Sequence, residues 1–201
     1  GHDGIAAGRD ARRADRVVDV ADRDGYRRAV AGLDVVVNAA GAEDPALAWI
    51  AAEERAAFVD ISATTSYLDA VERLRAEAPI LLSVGLAPGL TNLLAAAVNA
   101  DAAGPIDIAL LLGAGERHGA ASTAWTYALL GRRFEDAASG GWVRNFSRPR
   151  TFRLPTGVRR RLYRADFSDQ HVLTRDLKVP VRTFFGLDSR VATAALALLT
   201  W

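Results

Sequence analysis

From Gly4 to Ala100, short apolar runs alternate with longer amphipathic stretches, and this rhythm constrains the fold more than any other feature of the chain. Gly4-Ile5-Ala6-Ala7-Gly8, Arg16-Val17-Val18-Asp19-Val20, Leu33 to Asn38, Ala57 to Ile61 and Ile80 to Val84 read as strands. Asp22 to Ala31, Ala46 to Arg55, Thr65 to Ala76 and Leu90 to Ala100 read as helices. Asp22 or Asp24 is an N-cap candidate, Gly32 a stop, and Pro45 sits at a first turn. Strands and helices at this spacing form βαβ units around a parallel sheet. The strands are apolar throughout, with no strict alternation, which predicts burial on both faces: a doubly wound α/β sheet.

Beyond Asp101 the rhythm changes. Ile106 to Leu112 and Val181 to Leu187 read as strands, and Ala120 to Ala138 and Arg190 to Thr200 as helices. Thr151 to Leu154 and Val158 to Tyr163 read as a hairpin around Pro155-Thr156-Gly157. Strands without intervening helices predict an α+β domain. The boundary is placed in the Ala100–Pro105 stretch, giving domains over 1–101 and 102–201. Trp125, Tyr127, Phe134 and Trp142 are candidates for a homodimer face; aromatics at such spacing equally serve as core.

Composition removes several classes of function. There is no cysteine, so disulfides, thiolate catalysis and thiolate-bound zinc are excluded. The three histidines, His2, His118 and His171, have no metal-site spacing. A net charge of +1 gives no basic field for nucleic acid. No apolar run reaches the roughly 18 residues of a membrane span, and no signal peptide opens the chain, so the expectation is a cytoplasmic protein. Lys178 is the only lysine, so there is no Tyr-x-x-x-Lys pair, and no G-x-S-x-G elbow is present.

Parallel sheets bind ligands at the carboxyl ends of their strands. After the first strand comes Gly8-Arg9. The glycine gives the backbone room, and the arginine is a candidate for a nucleotide 2′-phosphate or a solvated turn residue. Asp19 ends the next strand and is a candidate for the adenine amino group; the nearby Asp22 caps a helix. Asn38-Ala39-Ala40-Gly41 ends the third. Its small residues admit a flat cofactor, and Asn38 can tie the strand end to its neighbour. Asp60 ends the fourth, where its carboxylate could position substrate or cap the next helix. Gly85 to Asn92, with Pro88 and Gly89, makes a rigid loop before a helix N-terminus. Gly113 to Gly119 is a glycine-rich turn in which His118 is a candidate proton donor.

Four stretches together resemble the saccharopine dehydrogenase-like family of NADP-binding oxidoreductases: Ala6-Ala7-Gly8-Arg9-Asp10, Val35 to Gly41, Phe58-Val59-Asp60-Ile61-Ser62, and Val84 to Leu94. The resemblance implies a Rossmann-type domain followed by a substrate or dimerisation domain. It implies NADP, with NAD as the alternative, and hydride transfer to a small organic substrate of imine, amino-acid or enoyl type. It places Arg9 near the 2′-phosphate, Asn38, Ala39, Ala40 and Gly41 near the cofactor, and Gly85, Pro88 and Gly89 toward the nicotinamide. Family members open with a strand, a glycine-rich loop and a helix that do not precede Gly4 here, so the expectation is a fragment lacking that unit. Asp60 and His118 are the only candidate catalytic groups, and this scarcity keeps a second reading open: a dinucleotide-binding or scaffold protein without catalysis.

Overall fold

The structure is a computed structural model and describes residues 3–101, 104–113 and 120–201. It is a mixed α/β chain that divides into two compact units, Gly1–Gly85 and Leu86–Trp201.

The first unit runs β1 (Ala7–Gly8), β2 (Arg16–Val17), α1 (Arg23–Val30), β3 (Val35–Asn38), α2 (Pro45–Glu53), β4 (Ala57–Asp60), α3 (Thr65–Glu72) and β5 (Ile80–Leu81). Each helix begins where local chemistry permits. The Asp22 side chain accepts from the Gly25 N–H at 3.0 Å, and Asp44 accepts from Ala46 N–H with Pro45 in the first turn. Every strand pairing is parallel, as the βαβ spacing predicts. The pairings do not form one continuous sheet; the expectation was a doubly wound sheet lacking its first strand. They fall into two sheets, β1-β2 and β3-β4-β5.

One core accounts for this unit. Val18, Tyr26, Val30, Leu47, Ile50, Phe58, Tyr67, Leu68 and Val71 form one buried cluster, with Val36 and Ile80 packed against it. All three helices therefore cover the same side of the strands. Alternation puts Val17, Val35, Val37, Ile61 and Leu81 on the other side, and all five are exposed. The expectation of burial on both faces fails at these residues, because among the described residues nothing covers that face. Phe58 is fully buried at the centre of the core, and its truncation to Ala costs about 3–5 kcal/mol.

The second unit runs α4 (Thr91–Asp101), β6 (Ile106–Leu112), α5 (Ala120–Ala128), β7 (Arg133–Asp136), β8 (Gly141–Arg144), β9 (Ser147–Arg153), β10 (Arg159–Arg164), α6 (Ser168–Leu177), β11 (Val181–Leu187) and α7 (Arg190–Leu199). Its main sheet has the order β6-β11-β10-β9. β9 and β10 form the expected hairpin, closed by Gly157 at φ 82° and by Leu154 N–H donating to Val158 O at 2.9 Å. β6 and β11 pair in parallel, so the sheet is mixed.

Three boundaries differ from the sequence reading. α4 belongs with the second unit rather than with residues 1–101, because Ala95 packs with Ile106, Ile108, Leu173 and Val181. The helix expected to reach Ala138 ends at Ala128; Gly131 takes φ 72° and the β7–β8 hairpin follows. α6 lies where no helix was expected. Of the four aromatics proposed for a dimer face, Phe134 is buried and Trp125 packs edge-on against Phe167 at 4.8 Å. Both are core. Tyr127 and Trp142 are exposed.

Candidate functional site

Gly8, Arg9, Asp19 and the run Asn38-Ala39-Ala40-Gly41, widely separated in sequence, line a single cavity of about 600 Å³ in the first unit. Its floor is apolar and comes from Tyr26 and Val30 of α1 and Leu47 of α2. The candidate residues occupy the end of the cavity where β1, β2 and β3 finish, as the parallel arrangement dictates.

At Gly8 the backbone carbonyl accepts from Val18 N–H at 3.0 Å, and a Cβ would come no closer than 4.0 Å to Ala14, so the surface there is open. Arg9 is exposed. Its neighbour Asp10 is engaged by Arg12 at 3.2 Å and Arg13 at 3.9 Å. The hydrogen bonds from Arg12 hold the Asp10 carboxyl below its ordinary value. Arg16 is turned inward and donates to the Ala29 carbonyl. Among the described residues Arg9 forms no ion pair, so it is the lining cation available to an anion. Asp19 is exposed and bonds locally, accepting from Ala21 N–H at 3.0 Å. Gly41 takes φ 67°, a left-handed conformation that a larger residue resists.

Asn38 ties its strand end to the neighbouring strand, one of the two roles expected of it, whereas Asp60 is the partner in that tie rather than a group facing the crevice. Asn38 Nδ2 donates to Asp60 Oδ2 at 2.6 Å and to the Ala42 carbonyl at 2.9 Å. Asp60 also accepts from Tyr67 Oη at 2.8 Å and Ser62 N–H at 2.6 Å. Its side chain is fully enclosed and does not line the cavity. Burial, then the hydrogen bond to Asp60, pushes the Tyr67 hydroxyl far above its ordinary value. Burial with the nearby Asp60 charge raises Tyr26 to about 12. Asn38, Asp60 and Tyr67 thus form a neutral-to-anionic tie that fixes the ends of β3 and β4. Gly85 closes the first unit, while Pro88 and Gly89 lie in the second; none of the three lines the cavity. His118 falls outside the described residues.

The second unit holds a polar cluster that the sequence did not announce. Arg164 is buried and donates to Asp136 Oδ1 at 2.8 Å and to Gln170 Oε1 at 2.9 Å. Its guanidinium lies 5.5 Å from the Phe134 ring and 5.6 Å from that of Phe184. Burial alone would raise Asp136, but hydrogen bonds from Arg164 and Ser139 outweigh it and hold the carboxyl low. Asp169 accepts from Thr183 Oγ1 at 2.8 Å, Gln170 N–H at 2.7 Å and Thr91 Oγ1 at 3.2 Å. Here burial wins, and the carboxyl is raised. Asp169 therefore ties the start of α4, and with it the Leu86–Leu90 turn, to α6 and β11. The buried side of α6 opens with Ser168, Asp169 and Gln170, so its sequence carries no apolar stripe that would have revealed it.

No family model matches this chain, and no curated protein is significantly similar to it.

Proposed function

We propose that the chain binds NADP(H) as part of an oxidoreductase of Rossmann type, with NADH as the weaker alternative. The observation that carries this reading is the convergence of Gly8-Arg9, Asp19 and Asn38–Gly41 on one cavity at the carboxyl ends of parallel strands. Arg9 fits a 2′-phosphate because among the described residues it is a cation without an ion pair, beside an open glycine. Asp19 fits the adenine amino group, and Ala39, Ala40 and Gly41 leave room for a flat ring or ribose. When bound, the nicotinamide supplies the hydride chemistry for an organic substrate. The work of this unit is to bind and orient the nucleotide, and the Asn38–Asp60 tie keeps the rim of the site rigid.

A second reading is favoured by the enclosure of Asp60. With that carboxylate shut inside the unit, the described residues of the cavity offer as acid or base the exposed Asp19 and the buried Tyr26, whose hydroxyl donates to the Leu47 carbonyl and is raised to about 12. A nucleotide-binding or scaffold protein without turnover needs nothing more. Turnover of any ketone, imine or enoyl compound with NADPH at an enzyme-like rate removes it.

The test is calorimetric titration of the chain and of Arg9→Ala with NADPH and NADH. The expected result is tighter binding of NADPH, weakened roughly tenfold to a hundredfold by Arg9→Ala, the loss of a charge-assisted contact of ~1.5–3 kcal/mol. NADH binding stays unchanged. Equal affinity for both nucleotides overturns the role of Arg9, and no binding of either overturns the reading.

A further inference from the structure

The net charge of +1 conceals an uneven distribution. Between Asp136 and Asp166 the chain carries eight arginines and not one Asp or Glu. Besides the buried Arg164, six of them lie on β9 and β10: Arg148, Arg150, Arg153, Arg159, Arg160 and Arg161. Arg160 is half-buried and the other five are exposed. β11 pairs with β10 only at Tyr163 and Arg164. From Arg159 to Leu162 the hairpin is therefore a ribbon of two strands, in which β9 is the ladder partner.

Little in the second unit neutralises this ribbon. Asp107 takes Arg150, but the same carboxylate also takes Arg182 at 2.7 Å. Among the described residues Arg148, Arg153, Arg159, Arg160 and Arg161 form no ion pair. Arg153 and Arg159 stand directly opposite each other, where like charges repel. Arg160 Nε is enclosed without a hydrogen-bond partner.

We propose that this ribbon binds duplex DNA through its phosphate backbone, lying in the major groove. The total charge speaks against a nucleic-acid partner; its distribution does not. Shape supports the groove. The major groove of B-form DNA, about 12 Å wide, admits a two-stranded ribbon whose strands lie ~4.8 Å apart. Alternation and register put Arg153, Arg159 and Arg161 on one face and Arg150 and Arg160 on the other. A flat partner, such as a membrane or an acidic protein surface, meets one face only, whereas the walls of a groove flank both. A ribbon seated on a membrane would also carry large apolar side chains for the interface; here Val158 alone among the large hydrophobics of the ribbon is exposed. The guanidinium fork suits phosphate oxygens, which it meets two at a time. The ribbon belongs to the second unit and the nucleotide cavity to the first, so the two readings fail separately.

The probe is a fluorescein-labelled DNA duplex of about 20 base pairs, titrated with the full chain and read by anisotropy from roughly 50 to 200 mM salt. The expected result is a Kd of about 10⁻⁶ to 10⁻⁴ M near physiological salt, with log K falling against log salt at a slope of about −4 to −5, as about five neutralised phosphates require. Arg159→Gln with Arg161→Gln reduces the slope by about two and weakens binding about tenfold or more. This variant relieves the repulsion at Arg153, so its melting temperature does not fall and lost binding is not lost folding. Arg73→Gln with Arg75→Gln removes the same charge from exposed positions of the first unit and leaves the affinity unchanged. Equal weakening by the two variants assigns binding to overall charge and overturns the ribbon. Absence of binding at the lowest salt overturns the proposal outright. Binding to phosphatidylserine vesicles or to poly-glutamate as tight as to the duplex assigns the ribbon to a membrane or to an acidic protein, and overturns it too. Saturating NADPH leaves the duplex bound; displacement places the DNA in the first-unit cavity and removes the ribbon from its recognition. DNA binding without NADPH binding leaves the ribbon standing and removes only the dinucleotide reading.

Discussion

Asn38 and Asp60 stand opposite each other at the carboxyl ends of β3 and β4, and Asn38 Nδ2 reaches Asp60 Oδ2 at 2.6 Å. The sequence suggested a tie to the neighbouring strand for Asn38 and a crevice or capping role for Asp60; the geometry makes the two residues partners. Asp60→Ala leaves the buried Tyr67 hydroxyl and the Ser62 N–H without their acceptor, and the expected loss is about 2–4 kcal/mol. Tyr67→Phe removes one bond to a carboxylate and costs about 1.5–3 kcal/mol. The two changes share one interaction, so the double variant loses less than the sum of the single ones. Urea unfolding of the four proteins measures this, and strict additivity would show that the tie does not act as a unit.

Gly186 in β11 is a packing glycine. A Cβ there would lie 2.6 Å from Leu162 Cδ2 and 3.1 Å from Thr193 Cγ2. Leu162 can move its far end, but Thr193 is held. Its Oγ1 accepts from Leu187 N–H at 2.8 Å and has the Leu187 and Ser189 carbonyls at 2.9 Å. Gly186→Ala must displace α7 or break these bonds, at an expected cost of about 1–3 kcal/mol. A melting temperature equal to that of the parent chain contradicts this account.

Lys178 ends α6 in the left-handed conformation, at φ 58°. A side chain is strained there and a glycine is not. Lys178→Gly is expected to stabilise the chain by about 0.5–1 kcal/mol, after the greater freedom of glycine in the unfolded state is deducted. Thermal unfolding of the two proteins at equal pH reads the difference, and a lower melting temperature for the variant counts against it.

The sequence was most informative where hydrophobic pattern and structure obey the same rule. The seven-residue, mostly apolar segments Ile106–Leu112 and Val181–Leu187, interrupted by Asp107 and by Arg182 and Thr183, are strands to the residue. The cavity-lining residues were legible because parallel strands deliver their carboxyl ends to one rim. What stayed hidden was tertiary. α6 buries Ser168, Asp169 and Gln170, and Phe167 supplies no side-chain cap, so neither its face nor its start carries a signal. Asp60 looks the same in sequence whether it faces a crevice or an asparagine. The exposed row from Val17 to Leu81 could not be foreseen either, because a strand apolar on both faces reads as buried on both.

The two buried carboxylates of the second unit give pH dependences of opposite sign. Asp136 is held below its ordinary value of about 3.9. It contributes stability that is present above that value and lost as pH falls through its folded pKa. Asp169 is raised, because burial outweighs its three hydrogen bonds. Its folded form binds the proton more tightly than the unfolded chain does. Its contribution therefore declines as pH climbs from about 3.9 through the raised pKa, then levels off. Asp169→Asn keeps an oxygen for Thr183 and Gln170 N–H and can donate to Thr91 Oγ1. Its stability relative to the parent should improve as pH rises through that window. Asp136→Asn should do the reverse, losing ground as pH rises and approaching the parent toward pH 3. Urea unfolding of the three proteins between pH 3 and pH 7 checks both at once, and parallel rather than opposed trends would show that burial does not govern Asp169.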